Sequence, residues 1–327
     1  YAPPRPAFSL VDVILNREAG TIAKIGPEII AEKLEQIFES EGVTAKVHLV
    51  AGTEVDAALA KALDGPGQAV IVGGGDGTVA AAATVLAGSS KPLGILPLGT
   101  FNLAARDAGM PLDWEEAARA LIHAPISPSD LLDFDGKMFC CVMVLGFYPA
   151  LALGRTGYEG NWMVRAWRSA IGVFRNAATF PPLHLRLTVD GRETTFRTSM
   201  AVLVNNDFED LFGLIPRRRS LNGGFFTVYL SKHRTRWGLF LTFLSWLLGR
   251  WKQDREMTAL HATKLTITVR HRRSLPVMRD GELTKLPIPF TVKLRPGALQ
   301  LLAPRLLTES PETTEIPQTP ASLPAHP

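Results

Sequence analysis

This 327-residue sequence has only two cysteines, and they are neighbours, Cys140 and Cys141. Adjacent residues of a strand point to opposite faces and cannot form an ordinary disulfide, which excludes a disulfide framework and leads us to expect a reducing compartment. There is no Asn-x-Ser/Thr glycosylation site, and no window has the basic, apolar and small-residue sections of a signal peptide. The apolar stretch from Trp237 to Gly249 spans 13 residues between Arg236 and Arg250, too short for the ~20 that cross a bilayer. Zinc-ligand spacing, an RNA-recognition signature and an evident aromatic stacking surface are all missing, so no nucleic-acid partner is expected. No internal repeat is found.

What the sequence does have is a charge imbalance that its formal net charge of +4 conceals. Residues 1–150 carry 10 basic and 18 acidic side chains, whereas residues 151–300 carry 24 basic and 10 acidic ones. One half therefore suits an anionic surface, unless these are simply solvated arginines on strands.

The first third alternates short apolar runs with helical patterns. Strands are expected at Phe8 to Leu15, Ala45 to Val50, Ala69 to Val72 and Leu93 to Leu96. Helices are expected at Pro27 to Glu41, Glu54 to Leu63, Thr78 to Leu86 and Asp113 to His123. Alternation of this kind predicts an α/β domain with a parallel sheet, over residues 1–125. From 126 to 304 period-2 segments with Asp-Gly turns (Asp135-Gly136, Asp190-Gly191, Asp280-Gly281) predict an antiparallel β-sandwich or barrel domain. Helical insertions at about Glu159 to Ala177 and Arg236 to Trp251 interrupt it. The Pro- and Thr-rich tail 305–327 is expected to be disordered.

The stretch IVGGGDGTVAAAATV, residues 71–85, places a glycine loop between a buried strand and a helix N-terminus, where free N–H groups and the helix dipole attract an anion. It is not a dinucleotide fingerprint, because Thr78 stands at the last glycine position. Nor is Gly94 to Gly99 a Walker A loop, because Thr100 stands where the lysine belongs. Asp76 would repel a phosphate unless a cation lies between them or the acid accepts a proton from an attacking hydroxyl; either role points to phosphoryl transfer. The alternative is a turn residue that caps the next helix. A second loop, Gly99, Thr100 and Asn102 in PLGTFNLAARDAGMP, and Asn16 in LNREAG fall on the same carboxyl edge of the expected sheet, where ligands of parallel sheets bind.

In order and spacing these motifs resemble the diacylglycerol-kinase catalytic-domain superfamily, which includes bacterial lipid kinases, sphingosine kinases and ceramide kinases. The resemblance runs from Asn16 through GGGDGT (73–78) and PLGTFNLAARDAGMP (97–111) to RDGE (279–282), and PLGTFN with ARDAGMP is similar to the bacterial lipid-kinase branch. It implies ATP as donor, Mg2+, and a membrane lipid such as diacylglycerol as acceptor. Asn16, Gly74, Gly75, Asp76, Gly77, Thr78, Gly99, Thr100 and Asn102 would hold ATP and its metal, with Asp76 the metal ligand. Glu282 would be the general base, a role for which Asp76 competes. Three departures stand out: Ala81 and Leu103 replace frequent acids, and Asn222-Gly223 replaces a D-D pair that holds a structural Mg2+. A structural Mg2+ does not suit that segment, since hard cations need charged oxygen ligands. These losses keep a catalytically weak lipid-binding member open as an alternative, beside a soluble-substrate kinase of the NAD-kinase type.

A peripheral, cytoplasmic lipid kinase must reach a membrane. The helix carrying Trp162, Arg165, Trp167 and Arg168 has the character of an interfacial helix with a basic rim. Both insertions could instead cap the sandwich, and Arg217-Arg218-Arg219 reads equally as a solvated loop or a phosphate clamp. A homodimer is left open.

Overall fold

The computed structural model describes residues 8–146, 182–208, 218–232, 257–280 and 282–304. Both helical insertions, with Trp162, Arg165, Trp167 and Arg168, lie outside the described residues, as do Arg217 and the tail 305–327. No helix among the described residues is long and apolar enough to cross a membrane.

Strand β1 (Leu10–Asn16) buries five consecutive residues, as a central parallel strand covered on both faces must. It is followed by α1 (Gly20–Ile25), α2 (Pro27–Ser40), β2 (Thr44–Val50), α3 (Val55–Asp64), β3 (Ala69–Gly73), α4 (Asp76–Leu86), β4 (Leu93–Leu96), α5 (Leu103–Asp107) and α6 (Trp114–Ile122). Helix α2 opens with Pro27 at its first position, where a missing N–H costs nothing, and buries Ile30, Leu34, Ile37 and Phe38 along one stripe. Helix α6 starts where Asp113 accepts the N–H groups of Glu115 and Glu116, each at 3.0 Å. Strand β1 pairs in parallel with β2 and β3, and β3 with β4, so all four carboxyl ends share one edge. The expected strands and helices of this half are all present. Two short helices, α1 and α5, have no counterpart in the sequence pattern.

The remainder is β-rich: β5 (Ile126–Phe134), β6 (Lys137–Phe139), β7 (Val142–Gly146), β8 (Leu183–Val189), β9 (Arg192–Thr198), β10 (Met200–Asn205), β11 (Phe226–Ser231), β12 (Met257–Ala262), β13 (Lys264–Val269), β14 (Ser274–Arg279), β15 (Glu282–Pro287) and β16 (Phe290–Leu302). Asp190 and Gly191 turn β8 into β9 with φ of 46° and 87°, positive at both central residues as a tight hairpin requires. One sheet has the order β12-β11-β10-β7-β14-β15 and is antiparallel throughout its described pairs. The other is shared between the two halves. It is ten-stranded and runs β2-β1-β3-β4-β16-β13-β8-β9, with β5 and β6 attached through β16.

Strand β16 makes this continuity possible. Its first half lies on β13 antiparallel, and at its far end Leu301 meets Leu93 of β4 in parallel. Strand β5 shows how the two cores meet, because its neighbouring residues Leu131 and Leu132 belong to the first and the second hydrophobic cluster respectively. Period-2 alternation thus lets one strand serve both cores.

Candidate active site

The two glycine loops leave β3 and β4 on the common carboxyl edge and touch. A Cβ built on Gly99 would lie 2.7 Å from Gly75 Cα and 2.9 Å from the Gly74 carbonyl oxygen, so only glycine allows this approach. A Cβ on Gly74 would strike Thr78, 2.5 Å from its Oγ1. At Gly75 nothing lies within 4 Å of such an atom, which leaves open space over the start of α4. Asn102 stays in the left-handed region, φ 53°, because its side chain ties the loop: Oδ1 accepts the Gly99 N–H at 2.8 Å, and Nδ2 donates to the carbonyls of Pro97 and Gly99. Asn16 closes β1 beside this edge, its Nδ2 3.4 Å from Thr78 Oγ1. Thr100 is exposed at the rim.

Asp76 is the first residue of α4, one position after the N-cap Gly75, and its side-chain hydrogen bond goes to another helix. Its Oδ1 accepts the N–H of Leu103, at 2.8 Å, and so caps α5 instead. Burial and the charge of Asp280 push the Asp76 carboxyl up to about 6, against the pull of the α5 amides. In the sequence Asp280 reads only as a turn residue. It is buried, φ 44°, and its carboxylate accepts three consecutive N–H groups, from Cys140 (2.8 Å), Cys141 (3.0 Å) and Val142 (2.8 Å). Burial raises its pKa although these amides favour the charge. The Cys140 and Cys141 thiols are pushed up by burial, which leaves them poor nucleophiles.

A second buried pair stands next to these acids. Asp107, the last residue of α5, receives the Arg218 backbone N–H on Oδ1 at 3.0 Å and Arg218 Nε on Oδ2 at 2.7 Å. Burial opposes the guanidinium charge, but Asp107 holds it protonated. Sequence reasoning misses both Asp107 and the pairing of Arg218. The partners are 111 positions apart, and RRR reads equally as a solvated loop or a phosphate clamp, neither of which is a buried ion pair. Glu282 begins β15 opposite Arg279, across the Asp280-Gly281 turn; its side chain lies outside what the structure describes.

The residues present suit a nucleotide and a metal that arrives with it. Open space at Gly75 lies at the start of α4, where the Thr78 and Val79 N–H groups already bond the Gly75 carbonyl and the helix dipole favours an anion, and Asp76 supplies a carboxylate beside it. Among the described residues no group of three or more His, Cys, Asp and Glu side chains could form a metal cage. One or two carboxylates are nevertheless the usual protein share of Mg2+ ligands when phosphates provide the others. The Asn222-Gly223 segment differs. There Asp130 is filled by N–H donors, from Gly297 on Oδ1 and from Asn206 Nδ2 and Gly224 on Oδ2, while Asn206 Oδ1 accepts the Gly223 N–H. Donors in these places are the wrong chemistry for a cation.

Comparison with known proteins bears on the family and the fold. Residues 11–134 match the model of the diacylglycerol kinase catalytic domain, and residues 153–303 that of the YegS C-terminal NAD kinase beta sandwich-like domain. The chain is 30% identical over 272 residues to a "Diacylglycerol kinase" of Mycobacterium tuberculosis, covering 79% of this chain and 85% of that protein. It is 44% identical over 80 residues to a "Probable lipid kinase YegS-like" of Pseudomonas aeruginosa, 24% of this chain and 26% of that one. The crystal structure of a diacylglycerol kinase from Bacillus anthracis has the same fold, with a TM-score of 0.68 at 19% identity over 91% of this chain and 98% of that one. A second structure from that organism gives a TM-score of 0.73 at 18% identity, over 93% and 98%.

Proposed function

Because the chain belongs to the diacylglycerol kinase catalytic-domain family, we propose that it transfers the γ-phosphoryl group of ATP to a hydroxyl of diacylglycerol or a related membrane lipid. Family membership supports a kinase that uses ATP and a divalent metal. The lipid acceptor is our own step beyond that. The observation that supports phosphoryl transfer is the contact of the two glycine loops, with Asp76 under the charge of Asp280 from the hairpin that carries Glu282. In this reading donor and acceptor machinery come from two halves of the molecule.

In this mechanism the loops Gly74–Thr78 and Gly99–Asn102 would hold the triphosphate, and Asp76 would take the metal. The chemistry that a bound Mg2+ supplies is neutralisation of phosphate charge. Glu282 accepts the proton of the lipid hydroxyl as the new O–P bond forms and the bond to the leaving ADP breaks. Asp76 then keeps the α5 amide as a hydrogen-bond partner, which fits a fixed ligand better than a mobile base. Membrane docking is assigned to the basic, aromatic segment around Trp162, Arg165, Trp167 and Arg168. If Trp162→Ala with Arg165→Ala leaves binding to anionic vesicles unchanged, that assignment is wrong.

A catalytically weak lipid-binding member is the second reading. It is favoured by Ala81 and Leu103, both packed on the first core where relatives often place acids. A panel of lipids in vesicles with MgATP separates the two: phosphorylated lipid that disappears in Glu282→Gln supports the kinase, and vesicle binding without product supports the alternative. Phosphorylation of NAD instead would move the acceptor to a soluble nucleotide.

A further inference from the structure

We propose that Arg218 is a positioning residue for nucleotide binding: from the β-rich half it fixes the carboxyl end of α5, and through α5 the loop Gly99–Asn102. The inference rests on the kinase reading only in naming MgATP as the ligand.

Three observations carry it. The first is the weakness of α5 itself. Five residues are far too few to sustain a helix alone, so α5 depends on what holds its ends. Asp76 holds the first end through the Leu103 N–H, and Asp107 with Arg218 holds the last. The second is the sign of the charge. A carboxylate at the last position of a helix opposes the dipole, so Asp107 is a poor choice there unless a cation lies against it. Arg218 is that cation, joined to the carboxylate by both its backbone N–H and its Nε.

The third observation is burial. Arg218 is 2% exposed and among the largest fully buried side chains. Desolvating such a pair offsets much of its attraction, so a buried pair adds little stability over an apolar contact of the same size. Two hydrogen bonds to one carboxylate do, however, fix distance and direction, which apolar packing does not. Arg218 also acts by charge on Asp280, Cys140 and Cys141, so it stands where the β-rich half meets α5. The nucleotide loop is thus complete only when the acceptor half is docked.

The test uses the full chain and MgATP as probe, with dissociation constants from calorimetry, steady-state constants for ATP and lipid, and hydrogen exchange over residues 99–107. Arg218→Met is expected to weaken MgATP binding about tenfold and to raise the KM for ATP with little change in the KM for lipid. Arg218→Lys keeps the charge without the fork of donors and should lose about threefold. Adding Asp107→Asn to Arg218→Met should cost no further affinity, because both changes break one contact. A folded Arg218→Met that binds MgATP as the wild type does, or that raises only the lipid KM, overturns the proposal. If Arg218→Met does not fold, exchange in Arg218→Lys decides: acceleration confined to 99–107 supports positioning, and equal acceleration in β3 and β4 overturns it. Wild-type protein that binds MgATP but phosphorylates no lipid sinks the lipid-kinase reading and leaves this inference standing on the binding data.

Discussion

Asp76 illustrates how a residue recognised by motif can have a different physical setting from the one its motif suggests. As the first residue of α4 it stands one position past the N-cap of its own helix; it caps α5, under burial and the charge of Asp280. Its pKa of about 6 stands above the ordinary 3.8, so the fold favours the protonated form. The stability it contributes is fully present below pH 3.8 and lost as pH rises through 6. Above that, the ionised carboxylate costs the ligand-free protein on the order of 3 kcal/mol. Asp76→Asn keeps the acceptor for Leu103 and removes the charge. It should therefore melt roughly 5 °C higher than wild type at about pH 8, with the gap closing towards about pH 4, while losing MgATP binding. A lower melting temperature for the variant in alkaline buffer would contradict this account of the carboxylate. The glycines make a paired prediction by thermal melts and calorimetry. Gly99→Ala must push the two loop backbones apart and should lower both stability and MgATP affinity. Gly75→Ala meets nothing within 4 Å, so it should leave the melting temperature unchanged and lower affinity alone.

At the scale of elements, legibility follows periodicity. Strand β4 is legible to the residue, and α2 and α6 within a residue or two, because apolar spacing and caps mark them. Helix α5 has no such mark: it buries Ala104, Ala105 and Asp107, and is held by side chains from outside. The Asp280-Gly281 turn is visible in the sequence, but its second task is not, since the amides it binds lie about 140 positions earlier. The departure at Asn222-Gly223 is visible too, and the structure adds its counterpart, Asn206 donating to Asp130. Wild-type melting should accordingly be the same with Mg2+ and with EDTA. Asn206→Asp sets a second carboxylate against Asp130 and removes a donor. It should cost about 1–3 kcal/mol in EDTA, and millimolar Mg2+ should recover some of that loss. A wild-type melting temperature that drops in EDTA would show that a cation is held there after all.

For the whole molecule, the sequence indicates two halves, one parallel and acidic, the other antiparallel and basic. It does not indicate that one sheet runs through both. Strand β16 carries no signal of its double pairing, because Leu299, Leu301 and Leu302 look the same whether they fill one core or join two. The consequence is that residues of the two halves act on each other: Asp280 by charge on Asp76, and Arg218 by hydrogen bonds on Asp107. Leu301→Ala tests the joint. Removing this buried side chain should cost about 2–5 kcal/mol in denaturant melts, with both halves unfolding in one transition. The most direct measurement for the account as a whole is transfer of labelled γ-phosphate from MgATP to lipid in anionic vesicles, with Glu282→Gln alongside. Labelled phospholipid is expected from the wild type, with a loss of at least about a hundredfold in the variant at unchanged MgATP affinity. Labelled lipid formed equally well by Glu282→Gln, or none formed by a wild type that binds MgATP, would contradict this mechanism.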